Sequence, residues 1–254
     1  MDKYYGFAEK LKNREKTVGT TLSLLNAPLL IPQMNREDLD FIVFDLEHGV
    51  FDAQNAQQAL NVCRLMGVPT IMRVQDALYH LMAKAVDMGG DGIMVPRTES
   101  LEQIRTALDA LFFAPVGRKG CGGHGQFRPG ENPADFNKTR FLMPQIESRK
   151  GIDLLPAILD EYGEYINAVM IGPYDMSVML GTPFNVRSDV MRDAIQEVFD
   201  ISARYGKSSG IFCDDEELAA KYRSMGANVL WLATDKDFFL RGYRQEMDAV
   251  RELK

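Results

Sequence analysis

Phe41-Ile42-Val43-Phe44-Asp45-Leu46-Glu47-His48-Gly49 carries the reading that decides the fold. Four apolar residues run without interruption and then give way to two carboxylates and an imidazole. An unbroken apolar run this short is the pattern of a strand covered on both faces, as in a parallel sheet. Polar side chains gathered just past its end place candidate chemistry at the carboxyl edge of that sheet. Residues 53–66 follow with apolar positions at helical spacing, and 70–74 is the next apolar run. Working outward, the alternation continues in both directions. Strands are predicted at 17–25, 41–44, 70–74, 92–95, 141–145, 168–171, 209–212 and 229–233. Helices are predicted at 28–35, 53–66, 77–88, 101–111, 152–159, 190–205 and 216–225, with a terminal helix to about 252 and an extra one at 3–13. Eight strand–helix units in 254 residues suit one closed (β/α)8 barrel spanning 1–254. An open doubly wound sheet would carry G-x-G-x-x-G after its first strand, and that stretch has none.

Composition narrows the function classes. Hydrophobic residues make up 46% and charged residues 26%, an ordinary globular balance that excludes a disordered or fibrous chain. The net charge is −7 and the basic residues are scattered, which argues against nucleic-acid and anionic-membrane partners. Cys63, Cys121 and Cys213 are odd in number and widely spaced, so a disulfide framework is not expected. The start, Met1-Asp2-Lys3-Tyr4-Tyr5, lacks a signal-type apolar core, and no stretch nears ~18 apolar residues. A cytoplasmic protein is the expectation.

The strand ends present a short polar list: Asp45, Glu47 and His48; Arg73 inside 70–74; Asp87 within Val-Asp-Met-Gly-Gly-Asp; Gln145 and Glu147; and Gly172-Pro173-Tyr174-Asp175. Each has an ordinary alternative. Asp45, Glu147 and Asp175 could cap helices, and His48 could be a surface histidine. Arg73 is harder to dismiss, because a guanidinium in an apolar run needs a buried partner or an anionic ligand. In a closed barrel all these ends face one cavity. Glu147 and Asp175 follow neighbouring strands, so their oxygens could share one hard divalent cation, Mg²⁺ or Mn²⁺. Such a cation and Arg73 together could hold a 2-oxo acid and favour its enolate. His48 would then carry the proton, with Asp45 or Asp87 orienting the imidazole. No lysine stands at a comparable strand end apart from Lys207, which disfavours a Schiff base. The longest irregular stretch, 114–137, holds a Gly-rich run at 117–125 that either reaches the site over the rim or stays on the opposite face.

Taken in order, Phe44-Asp-Leu-Glu-His-Gly49, Ile71-Met-Arg-Val74, Val86-Asp87, Met94-Val-Pro96, Gln145-Ile-Glu147 and Ile171-Gly-Pro-Tyr-Asp-Met-Ser177 resemble the HpcH/HpaI aldolase family over about residues 17–235. The resemblance implies a metal-dependent class II pyruvate aldolase. Such an enzyme reversibly cleaves a 4-hydroxy-2-oxo acid to pyruvate and an aldehyde through a metal-stabilised enolate, with Mg²⁺, Mn²⁺ or Co²⁺. It implies His48 as proton acceptor, Arg73 as stabiliser of the enolate, and Asp87 as the acid that raises the histidine's basicity. Glu147 and Asp175 become the metal ligands. Gln145, Gly172 and the backbone around Tyr174 and Asp175 would touch the oxo acid. A homo-oligomer, dimer to hexamer, is implied, with the terminal helix at 238–253 a candidate for exchange between subunits. Departures cluster on the aldehyde side: bulky Tyr174, then Lys119, Cys121 and His124 in the Gly-rich run. The first strand offers Thr20, Thr21 and Ser23, and the one tryptophan is Trp231. Oxaloacetate decarboxylation is the alternative on the same site. Citrate-lyase-like cleavage, racemisation and a non-catalytic metal and oxo-acid-binding barrel are weaker readings.

Overall fold

The computed structural model describes residues 3–26, 28–34, 39–128 and 130–253. Eight strands close into a parallel barrel in chain order: β1 (Thr17–Leu22), β2 (Phe41–Asp45), β3 (Thr70–Arg73), β4 (Gly92–Val95), β5 (Phe141–Ile146), β6 (Ala168–Ile171), β7 (Ser208–Cys213) and β8 (Val229–Thr234). β8 returns to pair with β1, so the sheet has no free edge. The outer ring is α2 (Ile31–Met34, after a 3-10 turn), α3 (Ala53–Leu65), α4 (Tyr79–Met88), α5 (Leu101–Leu111), α6 (Arg149–Tyr162), α8 (Asp189–Arg204), α9 (Glu216–Met225) and α10 (Asp235–Arg251). Two helices lie outside this ring: α1 (Lys3–Lys12) and the short α7 (Pro173–Met179).

Apolar burial falls into two regions. One lies between sheet and helices and includes Leu60, Ile104, Leu155 and Val198. The other fills the barrel, where Phe41, Phe141, Met143 and Trp231 meet Tyr4, Phe7 and Leu11 of α1. α1 therefore plugs the amino-terminal mouth and leaves the carboxyl mouth for the site.

Several boundaries differ from those predicted, each for a local reason. β1 stops at Leu22 because the backbone N–H groups of Ser23, Leu24 and Leu25 donate to the Asp235 carboxylate rather than to a strand. The expected helix at 28–35 is a 3-10 turn, Pro28–Leu30, followed by one turn of α2, and Asn35 lies outside the described residues. α6 begins three residues earlier than expected because the Ser148 hydroxyl caps it by accepting from the Gly151 N–H. α7 was not foreseen; Pro173 at its first turn starts it directly after β6. α10 leaves the body early: only Asp235 among its residues is buried, while Phe239 is 60% and Val250 60% exposed. Beside its base lies an apolar cavity of about 590 Å³ lined by Leu22, Leu25, Leu30, Ile31, Leu232 and Phe238. No helix among the described residues is long and apolar enough to cross a membrane.

Candidate active site

Parallel register sets Asp45 beside Arg73 on adjacent strands. The Arg73 guanidinium donates from Nε to Asp45 Oδ1 at 3.0 Å and from Nη2 to Oδ2 at 2.6 Å. This two-point grip is the geometry in which arginine and carboxylate bind best. Asp45 Oδ1 also accepts from the N–H groups of Glu47 and His48, both at 3.1 Å. Its acceptor capacity is thus spent on Arg73 and on folding the 46–49 loop. Gly49 closes that turn, since a β-carbon there would stand 2.1 Å from the Asp45 carbonyl oxygen. Asp45 therefore positions the guanidinium and the loop carrying His48, and does not orient the imidazole as expected. The His48 side chain is 59% exposed at the rim, and its Nε2 lies 3.8 Å from Glu47 Oε2. Glu47 is buried between Arg73 and Arg97; burial raises its pKa against the pull of Arg73, His48 and Arg97.

Strands β4 to β6 build the opposite wall. Glu147, just past β5, is buried; its Oε2 accepts from the Arg97 N–H at 2.7 Å and its Oε1 from Gln145 Nε2 at 2.6 Å. Arg97 holds a left-handed backbone, φ 45°, and donates its side chain to Glu47 and to the Gln75 carbonyl. Such a conformation in a non-glycine residue is backbone strain, and here it aims one N–H at a site carboxylate. Burial, with the charges of Asp175 and Glu47 adding and the Arg97 N–H opposing, pushes the Glu147 carboxyl up to about 8. Gln145 is fully buried and its Oε1 has no hydrogen-bond partner among the described residues. Gly172 leaves the space in front of these groups open, since a β-carbon would stand 2.0 Å from Glu147 Oε1 and 2.5 Å from Gln145 Nε2. Asp175 follows in the first turn of α7. Among the described residues no cluster of three or more His, Cys, Asp or Glu is placed to hold a metal. Two carboxylates, an orphaned amide oxygen and a glycine-made gap nonetheless fit a hard cation whose remaining positions go to substrate and water.

The third wall is legible in the sequence only in part, through Thr21, Tyr174 and Trp231. A cavity of about 190 Å³ is enclosed by His48, Arg73, Gln145, Gly172 and Asp175 on one side and by Thr21, Tyr174, Phe212, Trp231 and Thr234 on the other. The Trp231 indole N–H donates to the Thr21 hydroxyl, and Phe212 packs edge-on to Trp231 at 5.2 Å. Arg73 lies 5.4 Å over the same indole. The Tyr174 hydroxyl donates to Asp214 Oδ2 at 2.6 Å, fixing the ring beside Phe212 and Phe184. Phe212, Thr234, Asp214 and Arg97 were not singled out. All four lie at or just after strand ends, and applying the strand-end rule to β4, β7 and β8 would have found them.

Asp87 is not brought to this cavity. It sits on the outer helix α4, where its Oδ1 accepts from Lys119 Nζ at 2.7 Å. The reason is topological: a residue near the carboxyl end of a barrel helix is leaving the catalytic mouth. The Gly-rich run goes with it, and Gly120, Cys121 and His124 line a surface hollow with Asp87 and Lys84. In the single chain 117–125 thus wraps α4 and contributes nothing to the walls of the cavity.

The sequence profile of the HpcH/HpaI aldolase/citrate lyase family matches residues 22–241. The chain belongs to this family. It is accordingly a carbon–carbon lyase, in a family of aldolases that depend on a divalent metal. The 5-keto-4-deoxy-D-glucarate aldolase of Klebsiella pneumoniae subsp. pneumoniae is 26% identical over 97% of this chain and 96% of its own. The 2-keto-3-deoxy-L-rhamnonate aldolase of Salmonella typhi is 26% identical over 90% of this chain and 86% of its own. The crystal structure of the HpcH/HpaI aldolase from Desulfitobacterium hafniense DCB-2 superposes with a TM-score of 0.89 at 25% identity, covering 97% of this chain and 96% of that one. The HpcH/HpaI barrel expected from the strand-end motifs is thus the one observed.

Proposed function

We propose that this HpcH/HpaI chain is a class II pyruvate aldolase that cleaves a 4-hydroxy-2-oxo acid reversibly to pyruvate and an aldehyde. The observation that carries the reading is the Asp45-clamped Arg73 guanidinium sharing one small cavity with Gln145 and Asp175, with buried Glu147 hydrogen-bonded to Gln145. Glu147 and Asp175 are the residues to hold the cation, with Mg²⁺, Mn²⁺ or Co²⁺ as the candidates. When bound, the cation supplies Lewis-acid polarisation of the oxo acid. Gln145 and the backbone at Gly172 and Asp175 seat the acid beside Arg73. His48 takes the proton from the C4 hydroxyl as the C3–C4 bond breaks. The electron pair moves into the C2–C3 bond, and the charge that gathers on the C2 oxygen faces Arg73. A proton delivered to C3 completes pyruvate. Asp45 serves as the positioning residue for Arg73.

Exchange of the pyruvate methyl protons in D2O, followed by NMR after chelation and re-addition of each metal, is the test. Exchange that needs metal and falls at least about 100-fold in Arg73→Ala supports the reading. No exchange with any of the three metals overturns it. Exchange that survives His48→Ala but not Arg73→Ala moves the proton to another carrier. Oxaloacetate decarboxylation is the second reading, favoured by the Tyr174–Asp214 wall, which narrows the space an aldehyde would occupy.

A further inference from the structure

At the opposite mouth of the barrel, the last turn of α3 lays Arg64 across Gly89, whose β-carbon would stand 3.5 Å from the Arg64 Cδ and Nε. Arg64 Nε and Nη2 are buried, and neither has a hydrogen-bond acceptor among the described residues. These two nitrogens form one edge of the guanidinium, the edge whose N–H bonds grip two oxygens of a carboxylate or phosphate. Other arginines of the chain use this same edge. Arg73 closes it on Asp45, and Arg128 closes it on Asp91 Oδ1 at 2.9 and 2.7 Å.

The acids around Arg64 are already engaged. Asp91 Oδ2 accepts from the Thr70 N–H at 3.0 Å and from its hydroxyl at 3.1 Å. Glu131 accepts from Arg140 Nη1 at 2.9 Å and Nη2 at 3.0 Å. Arg64, Arg128 and Arg140 thus share this mouth with Asp91 and Glu131. Burial lowers the Arg64 pKa, and the charges of Arg140 and Arg128 add to that against Asp91 and Glu131. Arg64 edges a cavity of about 170 Å³ shared with Tyr4, Leu65, Val68, Asp91 and Arg128. That is several times the roughly 30 Å³ of a water molecule.

We propose that this cavity is an anion site, separate from the aldol site, in which the Nε–Nη2 edge of Arg64 holds a small oxyanion, phosphate or carboxylate, beside Arg128. A bound oxyanion supplies both buried donors with acceptors. Chloride, with no pair of oxygens to match the edge, binds weakly. The site faces away from the catalytic mouth, so its ligand competes with no substrate.

Thermal unfolding of the full chain at fixed ionic strength, with phosphate or acetate exchanged for chloride, reads the binding directly. A rise of roughly 3–6 °C is expected when the oxyanion stands about tenfold above its Kd. The rise should vanish in Arg64→Met and shrink in Arg64→Lys, which keeps the charge but loses the paired edge. Both variants should keep the pyruvate exchange rate of the parent. The arm with the lower Kd tells phosphate from carboxylate. Should Arg64→Met fold poorly, calorimetric titration of the parent and of Arg64→Lys decides: one oxyanion per chain, weakened at least about tenfold by the lysine, is the expected result. No rise up to about 50 mM of either oxyanion, or an equal rise in the Arg64 variants, overturns the proposal.

Discussion

A methyl group at position 172 is all that separates the open space before Glu147 and Gln145, the cation seat proposed above, from a blocked one. Gly172→Ala would drive a β-carbon into Glu147 Oε1 and Gln145 Nε2, so one or both must swing away. Mn²⁺ affinity measured by calorimetry should fall by about 10–100-fold, the range typical of disturbed support around a metal. Tyr174 governs the other side. Tyr174→Ala should admit longer aldehydes in the synthesis direction, read as a shift in relative kcat/KM across an aldehyde series. Tyr174→Phe keeps the ring and loses only the contact to Asp214, so it should change that preference far less. An unchanged preference in Tyr174→Ala would remove the ring from the acceptor side. At this scale the sequence was readable where one residue violated its own context. Arg73 stood out because a cation interrupted an apolar strand. The place of Asp87 in its own chain was not readable, because its partner there, Lys119, lies 32 positions away and nothing local announces the pairing.

Elements were readable where periodicity governs and unreadable where a distant side chain sets the boundary. The interiors of all eight strands lie where apolar runs predict them. β1 ends early because Asp235, more than 200 positions away, takes the N–H groups that would extend it. The 114–137 connection is likewise organised by tertiary contacts. Phe113, Phe127 and Phe136 cluster there, and Arg140 grips Glu131 in a buried pair. Burial alone would raise the Glu131 pKa, but Arg140, the Thr139 hydroxyl and the Arg128 N–H together bring it down to about 2. A carboxyl held below its unfolded value contributes stability above about 4.5 and loses it as pH falls toward 2. Glu131→Gln should therefore lower the Tm at pH 7 by several degrees and narrow its deficit against the parent as the pH is taken to 3. A deficit that stays constant with pH would exclude the ion pair as its source.

The whole molecule carries, on an otherwise charged helix, an apolar stripe that its own body does not cover. Phe238, Phe239, Tyr243, Met247 and Val250 are all exposed on α10, next to the large apolar cavity at its base. An exposed stripe of this kind marks a protein contact. Exchange of this helix between two copies, expected from the family resemblance, would bury it. Phe239→Glu with Tyr243→Glu should then convert an oligomer seen by light scattering into a monomer. A chain that is monomeric before substitution would rule the exchange out.

The contacts that close the barrel also impose an order in time. Trp231 reaches Thr21, Asp235 reaches Ser23 to Leu25, and β8 must pair with β1 before the cavity has its third wall. These contacts join segments 210 or more positions apart, and loops that long are slow to close. On a ribosome the first seven strands emerge with nothing to pair against at either edge, exposing backbone until the last strand arrives. A nascent chain stalled before residue 229 should therefore lean on chaperones and have no activity, and activity should appear only once β8 has been made.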